Sequence, residues 1–183
     1  MAGLTEARTT LRQATQAIDK LTPCKGDDVP VDAYCGTLKV YENRDTKQGR
    51  QIDLNIVVLP ALSSEPKPDP FFFLAGGPGQ GAAQMAKGIR EAFRQIINDR
   101  DVVLVDQRGT GKSNALECEV DTSSLRTVME SDEASLDRLR RCLAGFDADV
   151  RFYTTPIAMD DLDDVRAHLG YERINLYGGS YGT

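Results

Sequence analysis

From residue 4 to 21 the apolar positions Leu4, Ala7, Leu11, Ala14, Ile18 and Leu21 recur every three or four residues. That spacing predicts an amphipathic helix with one apolar stripe. Thr22 to Ala33 holds Pro23, Gly26 and Pro30 and reads as a loop. Alternation then replaces the helical period. Gly36 to Tyr41 and Gln51 to Leu59 read as two strands joined by the polar turn Glu42 to Arg50. In the second, Ile52, Leu54, Ile56 and Val58 alternate with Asp53, Asn55 and Val57, as in a half-buried antiparallel strand. Pro60 to Pro70, with four prolines, reads as a surface linker. The continuous apolar run Phe71 to Ala75 predicts a central strand buried on both faces, and Val102 to Val105 a second. Between them a helix is expected with Met85, Ile89, Phe93 and Ile96 or Ile97 on one side. Ser135 to Ala144 reads as a charged helix. Ile157 to Leu169 reads as another, with Ile157, Leu162, Val165 and Leu169 inward, Asp160, Asp161, Asp163 and Asp164 outward, and Gly170 ending it. The apolar run Arg173 to Tyr177 predicts a last buried strand.

Two antiparallel strands followed by strand–helix alternation argue an α/β fold, with a mostly parallel sheet covered by helices on both faces. Residues 1–34 form an N-terminal helix and loop extension, and residues 35–183 the main body. The 183 residues are 40% hydrophobic, enough for one real core. Net charge is −6 without a basic run, which argues against nucleic acid or an anionic membrane as partner. No apolar stretch approaches the roughly 18 residues of a bilayer span. Residues 1–21 lack the apolar segment of a signal peptide. The four cysteines form two close pairs, Cys24 with Cys35 and Cys118 with Cys142. Locality alone selects this pairing among three; with it goes an exported protein, secreted or periplasmic, against the alternative of four free thiols. One histidine and no C-x-x-C spacing argue against a zinc site, and no cofactor is expected.

Three glycine-rich loops follow three expected strands. Gly178-Gly179-Ser180-Tyr181-Gly182 matches G-x-S-x-G after a strand, the pattern of a nucleophile elbow. A serine at such a tight turn is held out of the sheet, flanking glycines let strand and turn approach, and the next N–H points where an oxyanion forms. Gly76-Gly77-Pro78-Gly79-Gln80-Gly81 suits a loop whose backbone approaches a substrate carbonyl. It also matches, from Gly77 to Ala82, the dinucleotide fingerprint, with Asp106 at a plausible distance for a ribose contact. Pro78 removes an N–H from that turn, and the fingerprint leaves the elbow unexplained. Gly111-Lys112-Ser113 resembles the end of a phosphate-binding loop, but the glycine required five positions before Gly111 is Asp106. His168, four residues after Asp164 near a helix end, reads as half of a surface pair rather than a catalytic base.

In this order and at this spacing, the two loops, Asp106-Gln107-Arg108-Gly109-Thr110-Gly111-Lys112-Ser113 and the segment Tyr153-Thr154-Thr155-Pro156 resemble the α/β-hydrolase peptidases of the prolyl iminopeptidase and tripeptidyl aminopeptidase group. The resemblance runs from about Cys35 to Thr183, and the paired cysteines are more similar to the exported tripeptidyl branch. It implies Ser180 as nucleophile, the N–H groups of Gly77 and Tyr181 as oxyanion donors, and a Gly77–Pro78 peptide that the family allows to be cis. Ala75 stands where the iminopeptidase pattern carries histidine.

The resemblance further implies a serine exopeptidase that takes a short peptide or small acyl substrate through an acyl-enzyme on Ser180. Two alternatives are an esterase of the same fold and, in another class, a dinucleotide-binding module. The family's acid, histidine and capping helices follow the elbow and have no counterpart in these 183 residues. The sequence alone therefore predicts a portion truncated after the elbow. Such a portion is inactive by itself, leaves one sheet edge open and needs a C-terminal part for activity.

Overall fold

The computed structural model describes residues 17–30, 32–118 and 131–183. The helix expected from Leu4 to Leu21 lies outside the described residues except for its last turn, where Ala17 and Leu21 are buried.

Among the described residues six strands form one sheet: β1 (Thr22–Cys24), β2 (Ala33–Tyr41), β3 (Gln51–Leu59), β4 (Phe71–Leu74), β5 (Val102–Val105) and β6 (Asn175–Gly178). Their spatial order is β1-β2-β3-β5-β4-β6. β1 to β2, β2 to β3 and β3 to β5 pair antiparallel, whereas β4 pairs parallel with both β5 and β6. Hence β2, β4, β5 and β6 share one direction and β1 and β3 run against them. The sheet is mixed, and its parallel half carries the three glycine loops at strand C-termini.

The segment expected to be a loop after Leu21 contains β1. Its three residues pair Thr22 with Cys35, Pro23 with Tyr34 and Cys24 with Ala33. Proline is tolerated there because β1 is an edge. The Cys24–Cys35 disulfide locks this pairing, and Cys118–Cys142 forms as well.

Alternation along the strands builds two cores. Ile52, Leu54, Ile56 and Val58 of β3, Phe72 of β4 and Val103 and Val105 of β5 point to one face. Val57, Leu59, Phe71, Phe73, Val102 and Leu104 point to the other. The first face is covered by α4 (Thr155–Leu169) through Leu162, Val165 and Leu169. Pro156 starts α4, and Gly170 at φ +84 ends it, with Tyr171 N–H donating back to the Arg166 carbonyl. The second face is covered by a 3-10 turn (Ala82–Met85), α1 (Ala86–Ala92) and α2 (Arg94–Ile97). The one helix expected there is interrupted at Phe93, whose ring lies 5.0 Å from Phe71 and 5.2 Å from Tyr177. α3 (Asp132–Gly145) is capped by the Ser131 hydroxyl and buries none of its residues.

The last strand departs from expectation. β6 pairs only with β4 among the described residues, so Leu176 and Tyr177 stay 58% and 48% exposed. An apolar run marks a strand, but its neighbours decide whether both faces are covered.

Candidate active site

Ser180 follows β6 and opens a 3-10 turn, Ser180–Gly182. Its φ is +58, a left-handed conformation rare for a residue with a Cβ. Gly182 N–H donates to the Gly179 carbonyl at 3.1 Å and Thr183 N–H to the Ser180 carbonyl at 3.2 Å. The turn closes so tightly that a Cβ on Gly178 would overlap the Gly182 carbonyl. A Cβ on Gly182 would overlap the Leu74 carbonyl at the end of β4. Gly178→Ala is accordingly expected to lose about 1–3 kcal/mol of stability, because backbone must move. Thermal unfolding beside a solvent-exposed control substitution checks this.

The Gly76 to Gly81 loop lies directly against this turn. A Cβ on Gly76 would overlap the Gly179 carbonyl and come within 2.8 Å of the Ser180 Cβ. Gly77 takes φ +67 and Gly79 φ +93. Gln80 N–H donates to the Gly77 carbonyl at 3.0 Å, so Pro78 and Gly79 occupy the central positions of a type II turn. Every peptide bond described is trans. The cis option for Gly77–Pro78 is thus corrected: proline's fixed φ and glycine's positive φ already make the reversal. Gly77 and Tyr181 both line a cavity of ≈ 20 Å³, room for about one oxygen-sized group. Neither N–H donates to a backbone carbonyl among the described residues.

Asp106 ties these loops to the sheet. Its buried carboxylate accepts from Ala83 N–H at 2.8 Å, Asn55 Nδ2 at 2.8 Å and Lys112 N–H at 3.0 Å. Gly81 and Gly111 are both so close to it that a Cβ on either would collide. Ser113, buried beside it, accepts from Asn55 N–H at 2.8 Å. The ribose role is therefore not open to Asp106: its carboxylate is occupied inside the protein.

A second buried network stands behind the next wall. Arg108 binds Asp161 through Nε at 2.6 Å and Nη2 at 2.8 Å. Its Nη1 donates to the carbonyls of Glu42 and Phe152, each at 2.9 Å. Asp161 also accepts from Arg44 at 2.8 Å. The outward placement of Asp161 is corrected: it is 2% exposed. Glu42, likewise buried, accepts from the Tyr153 hydroxyl at 2.9 Å, and Asn114 Nδ2 donates to that hydroxyl at 2.7 Å. Burial, then the Glu42 carboxylate, pushes the Tyr153 hydroxyl up to about 12, so it keeps its proton.

Pro78, Gln107, Leu116, Tyr153 and Tyr181 bound a cleft of ≈ 320 Å³ beside the turn. A larger hollow of ≈ 380 Å³ beside Cys118 and Cys142 includes none of the three glycine loops.

His168 stands apart. It ends α4, on the side of the sheet where β6 begins, whereas Ser180 lies past the opposite end of β6. The expected pair with Asp164 is replaced, since Asp164 binds Arg44 at 2.7 Å. Burial, then Lys20, hold the imidazole below its ordinary value. The structure thus brings Ser180, Gly77 and Tyr181 together and leaves His168 outside. Sequence reasoning missed the roles of Arg108, Asp161, Glu42 and Tyr153. One signal was present: Ala158, Asp161, Leu162, Val165 and Leu169 share one helical stripe.

Residues 69–183 match the family model described as alpha/beta hydrolase fold. Serine protease Hip1 of Mycobacterium tuberculosis and that of Mycobacterium bovis are each 27% identical to the chain over 184 aligned positions. Those alignments cover 88% of this chain and 34% of each relative, so the chain spans about a third of the length of the curated relatives it matches. Among solved structures, proline iminopeptidase of Mycobacterium smegmatis aligns at 22% identity with a TM-score of 0.49, covering 80% of this chain and 36% of that one.

Proposed function

The chain belongs to the alpha/beta hydrolase fold family, and from that premise we propose that it carries the nucleophile and oxyanion site of a serine exopeptidase. Ser180 is the nucleophile, and the N–H groups of Gly77 and Tyr181 are the oxyanion donors. The observation that carries this reading is the left-handed backbone of Ser180 between two glycines that cannot bear a Cβ. Strain of that kind persists where surrounding structure over-determines it, as at functional sites. The cavity shared by Gly77 and Tyr181 supports the oxyanion assignment. The similarity to a serine protease supports peptides as substrates.

The reaction proceeds in two steps. Ser180 Oγ attacks the scissile carbonyl carbon and gives its proton to a general base. The carbonyl oxygen becomes an oxyanion held by the two N–H groups. Collapse breaks the C–N bond, the leaving amine takes the proton, and an acyl-enzyme remains. Water then attacks the acyl carbon and restores the serine. The base and its acid partner are supplied by polypeptide outside these 183 residues, since His168 is the chain's only histidine and lies away from Ser180. The 183-residue chain alone is inactive on this reading. The two disulfides support an exported protein.

A fluorophosphonate probe followed by peptide mass spectrometry tests the assignment. The whole polypeptide is expected to carry the adduct on Ser180, and the 183-residue chain to label only at the rate of an unactivated serine. An adduct on another serine with Ser180 unmodified rejects it. Ester turnover without turnover of short peptides transfers the assignment to an esterase.

A further inference from the structure

The cleft beside Ser180 presents little charge, although a guanidinium lies at its wall. Arg108 is nearly inaccessible, with its side chain 1% exposed. All three of its nitrogens are engaged by Asp161 and backbone carbonyls. The Tyr153 hydroxyl is turned away in the same manner, bonded to Glu42 and Asn114, so Tyr153 lines the cleft with its ring. Leu116, Pro78 and Tyr181 add further apolar surface. A charged side chain entering here would lose water and find no counter-charge.

Three uncharged polar side chains at the cleft, Gln107, Thr154 and Thr155, make no hydrogen bond among the described residues. Gln107 lines both this cleft and the small cavity next to Gly77 and Tyr181. It therefore stands where a substrate residue would enter the cleft while its carbonyl approached Ser180. An amide can both donate to and accept from a peptide group. The volume of ≈ 320 Å³ is at the small end for ligand sites.

We propose that this cleft is a subsite for one uncharged substrate residue, an aromatic one included, next to the scissile bond, with Tyr153 as the specificity-determining wall and Gln107 as the peptide-binding group. This subsite rests on Ser180 being the reacting serine for its catalytic meaning, but its selectivity is read by binding alone.

The test uses ¹⁵N-labelled protein carrying Ser180→Ala, titrated with N-acetyl-phenylalaninamide, N-acetyl-lysinamide and N-acetyl-aspartic acid α-amide. The Gln107 side-chain amide signals, assigned by their loss in Gln107→Glu, report occupancy. The phenylalanine amide is expected to shift them saturably, with the two charged amides binding about tenfold more weakly or worse. Tyr153→Phe keeps the affinity within about twofold, and Tyr153→Ala weakens it about tenfold. In Gln107→Glu, backbone signals of Gly109 and Thr110 serve as reporters, and the lysine amide should gain on the aspartic acid amide. Should Tyr153→Ala fail to fold, this charge reversal still decides. Charged amides binding as tightly as the phenylalanine amide, no shift at Gln107, or unchanged preference in Gln107→Glu each overturn the subsite. Failure of the fluorophosphonate adduct at Ser180 would instead strike the catalytic assignment, and would leave these binding results as they are.

Discussion

Ser180→Ala is expected to lower peptide turnover by the whole polypeptide by about 10⁴- to 10⁶-fold, the range seen when a serine nucleophile is removed. The fold should barely notice. Ser180 is exposed, and its hydroxyl makes no hydrogen bond among the described residues, so its loss leaves nothing buried without a partner. A stability change within about 0.5 kcal/mol follows. Ser180→Gly sharpens the test. A residue with a Cβ at φ +58 carries strain of about 1 kcal/mol that glycine does not. Ser180→Gly should therefore unfold at a higher temperature than the parent and be equally inactive. Chromogenic peptide turnover and thermal unfolding, measured on the same preparations, check both. Retained turnover in Ser180→Ala would remove the serine from the chemistry. Lower stability in Ser180→Gly would show that the turn is not strained.

Asp161→Ala should cost about 3–5 kcal/mol, the loss found when one partner of a buried ion pair is removed. Arg108 would keep its carbonyl contacts but lose the only carboxylate it binds among the described residues, in a position almost free of water. Arg44, which also binds Asp161, would retain Asp164 and stay partly solvated. The loss is a large part of the roughly 5–15 kcal/mol that holds a typical domain folded. The double substitution Arg108→Met with Asp161→Leu should recover most of it, because an apolar pair leaves no charge stranded. Urea unfolding of the three proteins gives the answer. If Asp161→Ala costs below about 1 kcal/mol, the pair is not holding β2, α4 and the cleft wall together.

These two experiments probe residues of very different legibility. Ser180 stood out because its pattern is local: two glycines and a strand within a few residues. Tyr181 follows from the same local pattern, whereas Gly77 is named as a donor only by the resemblance to the peptidase family. Arg108 and Asp161 do not stand out, since a buried charge looks like a surface charge until its partner is known, and theirs is 53 positions away. By its charge Asp161 groups with the outward Asp160, Asp163 and Asp164, although its place in the helical period sets it among Ala158, Leu162 and Val165. Asp106 suits a ribose contact only under the dinucleotide alternative, because it follows a strand at the right distance from a glycine loop; in the structure the segment after that loop comes back and takes the carboxylate itself.

Periodicity and glycine spacing alone determined the order of the main elements, the two-faced burial of β4 and β5, and the serine turn. Each depends on interactions within a few residues or on repeat lengths that the chain itself carries. The tertiary structure decided what no local rule reaches. It made Thr22–Cys24 a strand by giving it β2 to pair with, and left Leu176 exposed because β6 has a partner on one side only among the described residues. It buried Asp106 and Asp161 by bringing them donors from distant strands and loops. Desolvating a carboxylate costs several kcal/mol unless such donors converge on it, and their convergence is a property of the assembled fold.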